Sequence, residues 1–221
     1  MRAIEHIRQL IEEDVFDYTQ LIHALAEYRK PRDVVSSLLR KDQIIRVRKG
    51  LYVFGTLWRR KPVSREMLAN LVYGPSMISL NYALAWYGLI PERVDMLTSI
   101  TSGRSRYFNT PLGRFSYIHL SQERFSFGAT IHKTDSVNWL ITEPIKALAD
   151  KVWTDKRFQP TSPVSYADYL FEDLRVDEAA LAGYYTKFKI NDLVRAYSAR
   201  KVTWLVEFLR KRFENIASQI N

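Results

Sequence analysis

Apolar positions in the first part of the chain recur at helical spacing in three separate segments. The first covers residues 3–13, the second runs from Tyr18 to Leu25, and the third begins at Pro31. Apolar residues three and four positions apart lie on one side of a helix, so each segment is expected to bury one stripe. The predicted stripe of the third helix consists of Val34, Val35, Leu38 and Leu39.

A tight two-stranded hairpin is predicted directly after the third helix. Residues 44–48 and 51–54 are rich in strand-favouring side chains, and Lys49-Gly50 lies between them. Glycine supplies the positive φ that such a turn requires. Apolar residues and arginines alternate in the first strand, so one side is expected to pack on the helices and the other to present cations. The apolar pair is Ile45 and Val47, and the arginines are Arg46 and Arg48.

Helices and strands are segregated in the remainder of the chain. Helical periodicity covers residues 64–73 and 79–88. Four alternating runs, at 96–102, 104–109, 114–120 and 125–132, then predict an antiparallel meander. Helical segments follow at 143–153, 166–173, 177–187, 190–198 and 201–217. Strands first and helices later predict an α+β fold.

Two domains are expected from this order of elements. The helices and hairpin of residues 1–61 have the order of a winged helix-turn-helix, in which a helix and a basic hairpin form the DNA-reading end. Residues 62–221 form a mixed domain, with the meander followed by helices.

Positive charge is concentrated in the first of these two units. The formal net charge is +9, and residues 29–61 alone contain eleven Lys and Arg against two acids. The excess of this window therefore equals that of the whole chain. A charged run is often only a solvated face, but this run coincides with the helix and hairpin. Its position favours an anionic partner, and specifically a nucleic acid.

Twelve residues are candidates for contact with DNA. A helix in the major groove reaches base edges from its exposed face, whereas hairpin and flanking cations reach phosphates or the minor groove. The candidates are Arg29, Lys30, Arg32, Ser36, Ser37, Arg40, Lys41, Arg46, Arg48, Lys49, Arg59 and Arg60.

Catalytic and metal chemistry is poorly supported by the sequence. The absence of cysteine excludes disulfides, thiolate zinc sites, iron–sulfur clusters and cysteine nucleophiles. No two histidines are spaced as a metal pair, and no Gly-x-Ser-x-Gly, P-loop, His-Glu-x-x-His or Asp-x-Asp motif occurs. We expect no enzymatic activity, no catalytic residue, no metal and no cofactor. His119 and His132 are expected to be structural, and Glu143 and Lys146 to form an ion pair.

The location expected from the sequence is the cytoplasm. No apolar run approaches the roughly 18 residues that span a bilayer. Acidic residues interrupt the apolar part of the N-terminal segment, which makes it a poor secretion signal.

Three stretches of the sequence carry a family resemblance: KDQIIRVRKGLYVF (41–54), GPSMISLNYALAWYGLIPERV (74–94) and SITSGRSRYFNTPLGRFSYIHL (99–120). The first resembles the wing of the AbiEi antitoxins, the transcription-regulator halves of type IV, AbiE-type toxin–antitoxin pairs. The other two resemble the start of that family's second domain. The shared features are Ser-Leu-x-x-Ala-Leu, Tyr-Gly-Leu-Ile-Pro, Thr-Ser-x-Thr and Thr-x-x-Gly-x-Phe-x-Tyr. The resemblance covers roughly residues 15–130.

The resemblance implies a two-part protein. Its winged helix would bind inverted repeats in operator DNA upstream of its own operon and repress transcription. Its C-terminal domain would counteract a toxin with a nucleotidyltransferase fold. Antitoxins of this family generally act without a stable complex, so the resemblance does not imply direct binding to the toxin.

Alternatives remain open at this point. The first alternative is a stand-alone winged-helix regulator whose second domain senses a ligand or dimerises. A nucleic-acid-processing enzyme is a third class, and it requires metal ligands that the sequence lacks. A further basic and aromatic group either extends the nucleic-acid surface or only belongs to the sheet. That group consists of Arg104, Arg106, Tyr107, Phe108 and Arg114.

Overall fold

A computed structural model describes residues 2–135, 137–185 and 190–217, with side chains as far as residue 214. The fold is α+β, as expected. The N-terminal part, residues 2–61, contains three helices and a three-stranded antiparallel sheet with the strand order β1-β3-β2. Its elements are α1 (Ala3–Leu10), β1 (Val15–Asp17), α2 (Tyr18–Ala24), α3 (Pro31–Arg40), β2 (Ile44–Arg48) and β3 (Leu51–Phe54).

Local signals in the sequence explain where these elements begin. The Asp17 carboxylate accepts a hydrogen bond from the N–H of Gln20 at 2.8 Å, which caps α2. Pro31 occupies the first turn of α3, where its missing N–H would have no helical partner. Gly50 adopts a positive φ of 88° between the two hairpin strands. The three predicted helices and the hairpin are confirmed, whereas the short strand β1 was not predicted.

One face of the sheet covers the core of the N-terminal part. Ile44 and Phe54 pair across the sheet and are buried together with Val35 and Leu38 of α3. Val34 and Leu39 are partly buried against the same core. The predicted apolar stripe of α3 is therefore confirmed.

The opposite face of the sheet packs on the C-terminal part. Val47, Leu51 and Val53 belong to the large core of that part, and Ile45 is partly buried against it. The prediction that Ile45 and Val47 pack on the N-terminal helices is therefore wrong. Ile44, one residue earlier in the strand, faces the helices instead. The pairing register also shifts between Arg46 and Arg48, which interrupts the simple alternation that the sequence predicts.

The C-terminal part surrounds a six-stranded mixed sheet with helices. Its first elements are α4 (Arg65–Val72), β4 (Ser76–Ile78), α5 (Leu80–Trp86), β5 (Leu97–Thr101), β6 (Arg106–Thr110) and β7 (Gly113–His119). They are followed by α6 (Gln122–Ser126), β8 (Ala129–Lys133), β9 (Asn138–Thr142) and α7 (Pro144–Thr154). The last elements are a π-helical segment (Asp168–Asp173), α8 (Glu178–Tyr185), α9 (Ile190–Tyr197) and α10 (Arg200–Ala217).

The predicted antiparallel meander is wrong. The strand order is β6-β7-β5-β4-β9-β8, and both the β5–β7 and the β4–β9 pairs are parallel. β6 forms a hairpin with β7 and lies at the edge, so β7 pairs with β5 on its other side. β4 and β9 were not predicted, and the run at 125–132 begins inside α6. Residues 186–187 of the predicted helix 177–187 lie outside the described residues.

In the sequence, Val202, Leu205, Val206, Leu209, Phe213 and Ile216 recur at helical spacing and predict one apolar stripe. The final helix docks on the C-terminal part through this stripe. Val202, Leu205, Val206, Leu209 and Phe213 are all buried in the main core. The side chain of Ile216, the last predicted member, lies outside the described residues.

Candidate nucleic-acid interface

The outer face of α3 carries three candidate residues one turn apart. Arg32, Ser36 and Arg40 are exposed, while Val35 and Leu38 on the opposite side are buried. A spacing of four residues keeps all three on one face of the helix. The Ser36 hydroxyl donates to the Arg32 carbonyl at 3.0 Å, so in the free protein its hydrogen bond is internal to the helix. The structure thus brings two cations and a hydroxyl to one accessible surface.

The N-terminus of α3 lies at the end of the sheet where the hairpin turns. The N–H of Tyr18, the first residue of α2, donates to the Gly50 carbonyl at 3.0 Å. Tyr18, Lys30 and Arg32 border one shallow hollow of about 460 Å³. Arg29 and Lys49 are exposed, Arg29 just before α3 and Lys49 in the turn. Candidates from two parts of the sequence therefore meet at this end.

The C-terminus of α3 lies at the other end of the sheet. The Gly55 N–H donates to the Gln43 carbonyl at 2.8 Å, and the Arg59 N–H donates to the Gly55 carbonyl at 3.0 Å. Arg40 and Lys41, just before Gln43, are exposed, whereas Arg59 is half-buried. Ser37 is also half-buried, which makes it less accessible than Ser36.

Arg60 is held beside an acidic loop. Its backbone N–H donates to the Asp14 carboxylate at 3.0 Å, and its guanidinium lies 3.4 Å from the Glu12 carbonyl. Arg8 forms an ion pair with the same carboxylate at 3.2 Å. Nearby negative charge lowers the attraction of a phosphate to Arg60. Among the predicted phosphate contacts, Arg60 has the least favourable surroundings.

The three hairpin cations have different environments. Arg46 lies opposite Tyr52 in the pairing register and is exposed. Lys49 is exposed at the turn. Arg48, although exposed, turns its guanidinium towards the C-terminal part, where it lies 3.4 Å from the Leu71 carbonyl. Arg46 and Lys49 fit the predicted role better than Arg48 does.

In the described parts of the chain, none of the ten cationic candidates forms an ion pair with a carboxylate. Nine of the ten are exposed, Arg59 being the exception. Unpaired surface cations concentrated on one helix and one hairpin produce a positive potential that attracts a polyanion.

Sequence reasoning missed Tyr18, which is 38% exposed and borders the same hollow as Arg32. The sequence indicates only that Tyr18 begins a helix after Asp17, and the fold brings that helix start beside the start of α3. Tyr52, by contrast, is buried against Phe16 and Tyr18, as expected for a core aromatic residue.

The C-terminal basic and aromatic group lies on the edge hairpin β6–β7. Arg104, Arg106, Tyr107 and Arg114 are exposed, and Phe108 packs against Tyr117. Only Phe108 of this group is thus a core residue.

The histidines and the buried lysine have structural contacts. His132 packs on Trp139 with ring centroids 4.4 Å apart, and the His119 Nδ1 lies 2.7 Å from the Gly103 carbonyl. Lys146 forms an ion pair with Asp150, so the predicted pairing with Glu143 is wrong. Within residues 2–135, 137–185 and 190–217, no three His, Asp or Glu side chains are grouped to hold a metal ion. No helix in these ranges has the length and apolarity to span a membrane.

Residues that carry the family resemblance serve the core and the turns of the second domain. The fully buried Ser79 hydroxyl donates to the Asp150 carboxylate at 2.7 Å. The Tyr117 hydroxyl donates to the Ala69 carbonyl at 2.7 Å. The Thr110 hydroxyl donates to the Gly113 carbonyl at 2.8 Å within the β6–β7 turn. These motifs therefore describe how the domain is built and do not by themselves locate a binding site.

A separate hollow of about 390 Å³ lies at the surface of the C-terminal domain. It is bordered by Arg65, Tyr82, Trp86 and Arg93, among others. The Arg65 guanidinium donates to the Asp95 carbonyl at 2.5 Å, while its buried Nε has no partner among the described atoms. The volume is in the range of small-molecule sites.

Comparison with known proteins gives no independent assignment. The chain matches no protein-family model, and no curated protein is significantly similar to it.

Proposed function

We propose that residues 1–61 are a winged helix-turn-helix that binds double-stranded DNA. The order of helices and strands, with the sheet order β1-β3-β2, supports this assignment. The observation that carries it is the set of exposed, unpaired cations on α3 and the hairpin. In this arrangement α3 enters the major groove, Arg32 and Arg40 reach phosphates or base edges, and Arg46 and Lys49 contact the flanking backbone.

The proposed target is operator DNA with inverted repeats upstream of the chain's own operon. Binding there represses transcription, because a protein on the operator competes with the polymerase. The proposed role of residues 62–221 is to counteract a nucleotidyltransferase-type toxin in the cytoplasm, without a catalytic residue or cofactor of its own. The resemblance to AbiEi antitoxins over residues 15–130 supports these two assignments.

A second candidate function is a stand-alone regulator that senses a small ligand. The hollow bordered by Arg65, Tyr82 and Trp86 favours it, because its two aromatic rings and its charged side chains of both signs suit a small polar aromatic compound. The neighbouring reading frames separate the two candidates. A downstream frame with nucleotidyltransferase carboxylates favours the antitoxin, and its absence favours the sensor.

DNA recognition is tested with two duplexes of equal length and composition. One carries the sequence upstream of the chain's reading frame, and the other carries the same bases in shuffled order. At physiological salt we expect the upstream duplex to bind at least about a thousandfold more tightly. Equal affinity for the two duplexes would contradict sequence-specific operator binding.

Antitoxin activity is tested by co-expression with the downstream reading frame. The full chain is expected to restore growth that the neighbour's product inhibits. The triple variant Arg32→Gln, Arg40→Gln and Lys49→Gln should also restore growth, because these three side chains are exposed and are not part of the core of the second domain. The same variant should lose repression of a reporter placed behind the operator. Loss of rescue in a folded triple variant would show that the proposed division of roles is wrong.

A further inference from the structure

The hairpin strand β3, which is central in the N-terminal sheet, is covered on both of its faces. All four residues of β3 are buried. Tyr52 and Phe54 lie in the N-terminal core, while Leu51 and Val53 lie in the C-terminal core together with Leu68 and other α4 residues. The C-terminal domain therefore fixes where the hairpin lies.

Arg48 makes a polar link across the same boundary. Its Nη2 lies 3.4 Å from the carbonyl of Leu71, in the last turn of α4, and its Nη1 lies 3.1 Å from the Lys49 carbonyl. Carbonyls of a last helical turn lack partners within the helix, and a cation there interacts favourably with the helix dipole. One planar guanidinium thus joins the end of α4 to the hairpin turn.

Two further observations agree with this placement. The register shift between Arg46 and Arg48 is a local irregularity of the strand, and such irregularities re-aim a side chain. Arg48 also lies near the buried Tyr117, whose hydroxyl donates to the Ala69 carbonyl of α4. Burial raises the pKa of Tyr117 well above its usual value, and the positive charge of Arg48 opposes part of that rise.

Lys49 provides a natural contrast to Arg48. It is the next residue in the chain and it is exposed. The described residues place no hydrogen bond or ion pair on its ammonium group. Arg48, which is held by α4, is thus directly followed by Lys49, whose charge is free to contact DNA.

We propose that Arg48 is a positioning residue that anchors the hairpin to α4 and thereby sets the place of Lys49 on the DNA. This proposal rests on the proposed DNA-binding function. It also couples the C-terminal domain to DNA binding, because a movement of the end of α4 would move the hairpin that contacts the DNA. This role differs from the direct DNA contact that the sequence predicts for Arg48.

The experiment compares Arg48→Gln, Arg48→Lys and Lys49→Gln in the full chain. DNA affinity is measured by fluorescence anisotropy at several salt concentrations, using the upstream duplex. Hydrogen exchange of the hairpin amides is measured in the free proteins. The two readouts separate a lost phosphate contact from a displaced hairpin. Both reduce the number of counterions released, but only a displaced hairpin exposes its amides to faster exchange.

We expect Lys49→Gln to reduce the magnitude of the log–log salt slope by about one and to leave hairpin exchange unchanged. Arg48→Gln should weaken binding by about tenfold, as for a charge-assisted hydrogen bond. Hairpin exchange should be accelerated, and the slope should fall by about one because the displaced Lys49 loses its phosphate. Arg48→Lys should resemble Arg48→Gln, since a lysine cannot bridge two carbonyls with a planar fork.

Unchanged hairpin exchange in Arg48→Gln, together with rescue of binding by Arg48→Lys, would overturn the proposal. Arg48 would then be a phosphate contact, and the DNA-binding function would stand. Absence of salt-dependent binding in the unaltered chain would instead overturn the DNA-binding function and this proposal with it. The two failures are distinct, because in the second the slope is missing from every protein tested.

Discussion

Lys146 and Asp150 form an ion pair whose side chains have no exposed surface. They lie one turn apart on α7, and Nζ of Lys146 is 3.0 Å from the Tyr197 hydroxyl of α9. The Asp150 carboxylate also accepts the Ser79 hydroxyl from the start of α5. Each charge is thus satisfied by a partner of opposite charge and by hydroxyl groups. Such a network specifies how α5, α7 and α9 pack, because a displaced helix would leave a buried charge unpaired.

The first prediction concerns this network. Lys146→Ala leaves the Asp150 carboxylate buried without its cation, and we expect the free energy of unfolding to fall by about 3–5 kcal/mol. Urea denaturation followed by circular dichroism measures the change. Lys156→Ala is the matched control, because Lys156 is exposed, and we expect it to change stability by less than about 0.5 kcal/mol. Similar small losses in both variants would contradict the structural role of the buried pair.

At the scale of elements, β3 is the strand on which both cores depend. Alternate side chains of a strand point to opposite faces, so one strand can serve two cores only when neither face is solvated. Val53 has no exposed surface and contributes to the C-terminal core, although it belongs to the N-terminal sheet. The strand is therefore expected to be as sensitive to truncation as any central strand.

The second prediction tests that sensitivity. Val53→Ala removes two buried methyl groups, and we expect a loss of about 2 kcal/mol in the free energy of unfolding. Val164→Ala serves as the control, because Val164 is 72% exposed. Equal, small effects for the two substitutions would show that the C-terminal domain does not cover this face of the sheet in solution.

Sequence patterns predicted the elements whose structure depends on nearby residues. The stripe of α3, the glycine turn of the hairpin and the stripe of α10 all depend on spacings of a few residues. The pairing of β5 with β7 and of β4 with β9 depends on distant segments, and no local pattern distinguishes it from a meander. β4 has only three residues, too few for a recognisable alternation.

In the candidate site, too, features set by nearby residues are predictable from the sequence, whereas features set by distant segments are not. Positions of the cations follow from the sequence, because a charged residue on the polar side of a helix or hairpin turn is exposed in most folds. The environment of Arg48 depends on where α4 ends in space, and that of Arg60 depends on the Asp14 loop. Tyr18 joins the site only because α2 begins beside Gly50. Contacts between segments decide these cases.

At the scale of the whole molecule, buried tyrosines link stability to pH. Burial raises the pKa of Tyr87 to about 12, and it raises the pKa values of Tyr117, Tyr166 and Tyr197 well above the usual value. The folded protein therefore keeps protons that the unfolded chain releases above about pH 10. Because the folded state then binds more protons, the free energy of unfolding must fall as the pH rises.

The third prediction is a loss of stability that begins near about pH 10 and continues towards higher pH. Urea midpoints measured at increasing pH, with tyrosinate absorbance as a parallel signal, follow this loss. Tyr117→Phe should show a shallower decline, because it removes one of the protons that are linked to folding. Stability that stays constant or rises in the alkaline range would contradict the burial of these hydroxyl groups.

The central claim is that the exposed cations of residues 29–49 bind the DNA backbone. The most direct test is the salt dependence of binding to the upstream duplex. With about six phosphates contacted, the slope of log affinity against log salt should be about −5. The Arg32→Gln, Arg40→Gln and Lys49→Gln triple variant should reduce the magnitude to about 3, because it loses about three contacts. Replacing three exposed C-terminal arginines by glutamine, at Arg157, Arg175 and Arg195, should leave the slope unchanged. A slope near zero, or the same slope in both triple variants, would contradict the account.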